Sequence, residues 1–199
     1  MDTNEFDYYL VFAQSAPSVP AITLSDDSDY DDLDMIQEEI DADILEFEID
    51  EPFPKKPVMV DFHDDGTIEV VSAKIYQALQ SLNAKKMQLI PATIHDSRND
   101  VTYDNYFYPH VYFRINCLNK EKSTYTIGVG GNVNTISKIS LDTEVLSKIP
   151  LEERLAFRLG EMFTFQLFHK SVVDAIMATE PKGVRFVKVE DYHVGAAFD

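Results

Sequence analysis

The sequence predicts an α+β fold: a single domain with two pseudo-repeated strand–helix–strand units on a mainly antiparallel sheet, preceded by an acidic N-terminal segment. Three observations lead there. The chain has 199 residues, 45% of them hydrophobic, enough to bury the core of one domain. A stretch of its body recurs at an offset of 97 residues, from Thr67 to Thr164. Its charge is lopsided: residues 1–54 hold 17 acids and no Lys or Arg, whereas residues 55–199 hold 18 acids and 17 bases. The boundary is therefore placed between an acidic segment, residues 1–54, and an α+β body, residues 55–199.

The first segment is expected to hold a starting strand followed by an acidic helix or loop. Its densest part is Ser25-Asp26-Asp27-Ser28-Asp29-Tyr30-Asp31-Asp32-Leu33-Asp34. Like charges at this density repel, and such blocks often serve as solvated interaction segments. This one also carries apolar residues that a purely solvating tail does not need. Ile36, Ile40 and Ile44 recur at i, i+4, i+8, with Leu33 one turn earlier, which predicts one face of a short helix capped by Asp32 or Asp34. Asp26, Asp27, Asp29, Tyr30, Asp31, Asp32, Glu38 and Glu39 are the candidate partner-binding residues, and a basic partner is the expected ligand. Asp26 to Asp31 also offer oxygen donors for calcium, but an EF-hand loop needs Gly at its sixth place and Glu at its twelfth, and neither fits.

In the body, Val58, Val60 and Phe62 alternate into the turn His63-Asp64-Asp65-Gly66, as a hairpin does. The first repeat, residues 67–92, starts with the β-branched Ile68, Val70 and Val71, then Ser72 as N-cap. Ile75, Ala78, Leu79 and Leu82 form one apolar helix stripe, Asn83-Ala84-Lys85 ends it, and Met87, Leu89 and Ile90 resume a strand. Tyr106 to Ile115 is aromatic and β-prone, and Ile136, Ile139 and Leu141 suggest another strand. Pro150 opens a helical turn through Arg154. A second hairpin turns at Gly160-Glu161 and leads into the second repeat, residues 164–189. Here Val172, Ala175 and Ile176 form the stripe, and Pro181 and Gly183 break it. Both units are expected to pair in one sheet.

No catalytic, cofactor or metal residue is predicted. Gly128-Val129-Gly130-Gly131 meets neither phosphate-loop spacing and suits a hairpin turn. The five histidines form no HExxH pattern, and no serine sits in a GxSxG elbow. Asp61 and His63 would share a strand face, yet they equally suit an acidic turn. Cys117 alternates with Ile115 and Phe113 as a buried small hydrophobe would, and a lone cysteine excludes internal disulfides. The net charge of −18 disfavours direct binding of nucleic acid. The first residues lack a basic and an apolar region, and no apolar run approaches the ~18 residues of a membrane span. The cytoplasm is the expected location.

Several motifs taken together resemble a known family. Val70-Val71-Ser72-Ala73-Lys74-Ile75-Tyr76-Gln77-Ala78-Leu79 followed by Met87-Gln88-Leu89-Ile90-Pro91-Ala92 is similar to its first half. Ile115-Asn116-Cys117-Leu118-Asn119-Lys120-Glu121-Lys122-Ser123 is similar to its central stretch, with Asn in place of Asp twice. Phe157-Arg158-Leu159, Leu167-Phe168 and Gly183-Val184-Arg185-Phe186 follow its C-terminal half. The family is immunity-protein family eleven of bacterial polymorphic-toxin and type VI secretion systems, and the resemblance spans roughly residues 58–190. It implies a non-enzymatic protein, without cofactor, that neutralises its own cell's toxin by binding it. The toxin would be a basic protein encoded by a neighbouring gene. The family offers no active-site residues to transfer, and the run Asp26–Asp32 matches none of its motifs. The alternatives are an acidic adaptor or nucleic-acid mimic with no toxin partner, and an enzyme with an unfamiliar site.

Overall fold

A computed structural model describes every residue except 1–4, 15, 26–29, 31–32, 51–53, 65–67 and 197–199. The strands are β1 (Tyr8–Ala13), β2 (Ile22–Leu24), β3 (Leu45–Ile49), β4 (Phe62–Asp64), β5 (Glu69–Ser72), β6 (Met87–Asp96), β7 (Val101–Val111), β8 (Arg114–Ile115), β9 (Thr124–Ile127), β10 (Val133–Lys138), β11 (Ala156–Leu159), β12 (Met162–His169) and β13 (Val184–Lys188). The helices are α1 (Ala73–Leu82), α2 (Thr143–Leu146) and α3 (Lys170–Met177). One sheet has the order β2-β3-β6-β7-β5-β4, a second β13-β1-β12-β11-β8, and β9 and β10 form a separate hairpin. Pairing is antiparallel except for β3 with β6 and β8 with β11, so the fold is α+β in one domain.

The 97-residue offset is visible in the strand register. β5 and β6 flank β7, with Val71 and Pro91 both opposite Phe107. β12 and β13 flank β1, with Phe168 and Lys188 both opposite Tyr9. α1 begins at Ala73 and α3 at Lys170, again 97 residues on. Each unit is thus a split strand–helix–strand, with an antiparallel strand between two parallel ones.

The two units do not share a sheet, contrary to the expectation. Each unit takes its central strand from a different place, β7 directly downstream or β1 at the chain's start, and so completes its own sheet. The apolar stripes are buried nevertheless. Ile75, Leu79, Val172, Val173 and Ile176 meet in one core with Val71, Val111, Val11 and Phe168, between the sheets. Each such buried aliphatic side chain contributes roughly 1.5–3 kcal/mol. Arg158 ties the sheets together: its Nε donates to the Val111 carbonyl at 3.1 Å, and its Nη2 lies 3.9 Å from Glu69 Oε2.

The capping chemistry differs from expectation as well. Ser72 sits at the N-cap of α1, but its hydroxyl donates to Asp61 Oδ1 at 2.7 Å rather than accepting from the helix. In the second unit His169 does the capping, its Nδ1 accepting from the Ser171 N–H at 3.2 Å. Ile136 lies in β10, whereas Ile139 and Leu141 fall beyond it, Leu141 meeting Leu118 in a single bridge.

The predicted acidic helix is absent. Leu33–Met35 forms only a 3-10 turn, and the chain then runs without helix to β3. Ile40 is buried and Ile36 half-buried, but Ile44 is 48% exposed, so the three do not form one buried face. Partners from distant strands take the backbone groups a helix would use. Gln88 accepts from Ile40 N–H at 2.7 Å and donates to its carbonyl at 3.1 Å. His110 Nε2 donates to the Glu38 carbonyl at 2.9 Å, and Arg114 to those of Asp34 and Met35 at 3.2 and 3.1 Å. A helix would also stack Asp34 on Glu38 and Glu39 on Asp43, like charges at i, i+4.

Candidate partner-binding surface

The surface arises from the alternation in β3. Leu45, Phe47 and Ile49 point into a core with Ile22, Leu33, Ile40, Ile90, Ala92, Ile94, Tyr106 and Tyr108. Glu46 and Glu48 therefore point the other way and are exposed. Upstream, Glu38, Glu39, Asp41 and Asp43 are also exposed. The apolar half of the segment fastens it to the body, and the acidic half is left in solvent.

Of the predicted partner residues, Asp26, Asp27, Asp29, Asp31 and Asp32 lie outside the described residues. Tyr30 is half-buried against the same core, and its hydroxyl donates to the Asp41 carbonyl at 2.8 Å. Glu38 and Glu39 are exposed, and the Glu39 carboxylate accepts from the Tyr112 hydroxyl at 3.2 Å. Partial burial, then that carboxylate, push the Tyr112 hydroxyl's pKa up. Glu46 and Glu48, exposed on the adjacent strand, are not among the residues expected from the sequence. The period-2 run Leu45-Glu46-Phe47-Glu48-Ile49 was the signal for them, masked by the helical spacing of Ile36, Ile40 and Ile44.

The reactive groups elsewhere are committed to structure. Cys117 is buried, and burial, then the Glu161 and Asp142 carboxylates, push its thiol far up. His63 Nδ1 faces the Pro20 carbonyl at 3.3 Å, and Nε2 accepts from Val60 N–H at 3.2 Å. Asp61 accepts from the Ser72 hydroxyl and from Lys182 N–H at 2.8 Å, and Lys74 Nζ lies 3.5 Å away. Among the described residues, no three His, Cys, Asp or Glu side chains group as metal ligands would. The Gly128–Gly131 segment forms the turn of the β9–β10 hairpin.

Two open clefts flank that hairpin. One, of about 840 Å³, lies between Phe6, Leu118–Lys122, Ser140–Glu144 and Glu190. The other, of about 680 Å³, lies between Ile127, Gly131–Asn134 and Gly160–Thr164. Both are surface grooves. No helix among the described residues is long and apolar enough to cross a membrane.

A search of curated proteins finds no match. A family model does match, over residues 39–191, a span that includes β3, both strand–helix–strand repeats and the β9–β10 hairpin but not β1. It starts after the run Asp26–Asp32 and takes in Glu39, Glu46 and Glu48. That span is most of the chain: the chain belongs to the immunity protein family (Imm11).

Proposed function

We propose that this protein binds a cognate toxin and neutralises it by stoichiometric occlusion, using its acidic surface. The family match carries the immunity reading. The carboxylates exposed from Glu38 to Glu48 support the choice of surface, since residues 1–54 supply no cation to neutralise them. A basic toxin domain is the matching partner, and the acidic field would speed its association. The toxin acts in the cytoplasm on nucleic acid, a nucleotide cofactor or a protein, and its gene adjoins this one, as in polymorphic-toxin and type VI secretion loci. The protein works without turnover. The burial of Cys117 and the structural hydrogen bonds of His63 and Asp61 favour that reading.

The experiment is a titration of toxin activity with this protein at fixed, high toxin concentration. Occlusion predicts a linear fall to zero near one equivalent. Protection by a small fraction of an equivalent would show a catalytic mode of immunity and overturn the reading.

A further inference from the structure

The described residues leave part of one face of the six-stranded sheet uncovered. α1 packs over β5 and β7 on this side, with Met87 and Leu89 at the start of β6 joining the same core. Beyond Leu89 the cover ends. The β3–β6 register sets Glu46 beside Thr93 and Glu48 beside His95, and the residues alternating with them, Leu45, Phe47, Ala92 and Ile94, are buried on the opposite face. Pro91, on the parity of Thr93, is exposed, and Ile44, on the parity of Glu46, is 48% exposed. Apolar anchors thus sit beside two carboxylates on a rigid sheet.

We infer that this face, Ile44, Glu46, Glu48, Pro91, Thr93 and His95, is the platform on which a basic segment of the toxin docks. The inference rests on the immunity reading and specifies its surface. Charge complementarity identifies the occupant. Neither β2, β3 nor β6 contains a Lys or Arg, and among the described residues Glu46 and Glu48 make no ion pair; Glu48 accepts only from the Ser25 hydroxyl, at 3.3 Å. An aliphatic pair at one end of the row, with Glu46 and Glu48 following at alternate positions of β3, suits a strand or loop that presents an apolar residue and then Lys or Arg at alternate positions. The long stems of those side chains would lie on Ile44 and Pro91 while their heads reach the carboxylates. The acidic run follows in sequence from Ser25, whose N–H donates to the Glu46 carbonyl at 2.9 Å. All six residues lie within the span matched by the family.

The test uses the full chain and the purified product of the adjacent toxin gene. Glu46→Lys with Glu48→Lys should weaken binding by about 10-fold or more at low salt and flatten its salt dependence. Ile44→Asp should weaken it by about 10-fold at all salt concentrations, as loss of an apolar anchor does. The control Glu121→Lys with Asp191→Lys, two exposed acids outside residues 1–54, should change little. Carbodiimide labelling of the unmodified complex, which needs no variant to fold, should show Glu46 and Glu48 protected. If the toxin binds the variants with unchanged affinity and salt slope, or leaves Glu46 and Glu48 fully labelled, the platform is wrong and the immunity reading stands. If the unmodified protein neither binds nor inhibits the toxin, the immunity reading falls and the platform with it.

Discussion

His63 and His110 show how single buried side chains set the response of this protein to pH. Burial pushes both imidazoles below the ordinary 6.5, and for His63 the Pro20 carbonyl only partly opposes it. His63 is fixed as the neutral ring because Val60 N–H needs its unprotonated Nε2. As pH falls through 6.5, the unfolded chain takes up protons before the folded one does. The stability these groups contribute is therefore complete above that value and is lost below it. Urea unfolding between pH 7.5 and 5.5 should show a falling free energy, with a shallower fall in His63→Asn. Equal slopes in the two proteins would reject this account. Gly183 is a second single-residue constraint, with φ +84 and a hypothetical Cβ only 2.6 Å from Val60 Cγ2 and 2.9 Å from the Phe62 carbonyl. Gly183→Ala should cost about 2–5 kcal/mol from backbone strain and overpacking together, read as a lower denaturation midpoint. Gly183 was visible in the sequence as a helix breaker. Its close approach to β4 was not, because Val60 lies more than a hundred residues away.

The elements were legible wherever local pattern and tertiary need agreed. The hairpins into β5 and β12, the stripes of α1 and α3, and the left-handed Asn83 that ends α1 all follow from short-range sequence. Local pattern failed where distant side chains decided the backbone. The segment Leu33–Ile44 has helical spacing, but Gln88, His110 and Arg114 hold its carbonyls and amides from strands 48 to 80 residues away. The helical spacing carries Glu38 and Glu39, which are exposed on a segment without helix, whereas the exposure of Glu46 and Glu48 follows from the alternation of β3. Asp61 shows the same dependence on distant partners. Burial alone would raise its carboxyl, but Lys182 N–H, the Ser72 hydroxyl and Lys74 bring it below 3.8. It thereby joins the start of α1 to the turn between α3 and β13. Asp61→Ala should cost about 2–3 kcal/mol, the range for lost hydrogen bonds to a charged group, measured by denaturant unfolding. A loss below about 0.5 kcal/mol would mean that the junction holds without it.

At the scale of the molecule, charge and architecture divide differently. Residues 55–199 are nearly balanced, and almost the whole of the −18 belongs to residues 1–54. Yet that first quarter is not a detachable tail: β1 is the central strand of the second split unit, and β2 and β3 extend the first sheet. The described part of that charge is thus built onto the fold, with Glu46 and Glu48 on β3 and Glu38, Glu39, Asp41 and Asp43 just upstream. Crowding seventeen acids without a cation in 54 residues is a standing cost to the free protein, and a basic partner would relieve it. The run Asp26, Asp27, Asp29, Asp31 and Asp32 should then act chiefly on encounter, through its long-range field, while the sheet face supplies fixed contacts. Replacing those five residues together by Asn and Ser should slow association with the toxin by about 10-fold at low salt and reduce the salt slope, with dissociation little changed. The measurement is association and dissociation rates across salt concentrations, beside the Glu46→Lys, Glu48→Lys protein. An unchanged association rate and salt slope would reduce the run to a solubility device and leave the body as the whole of the docking surface.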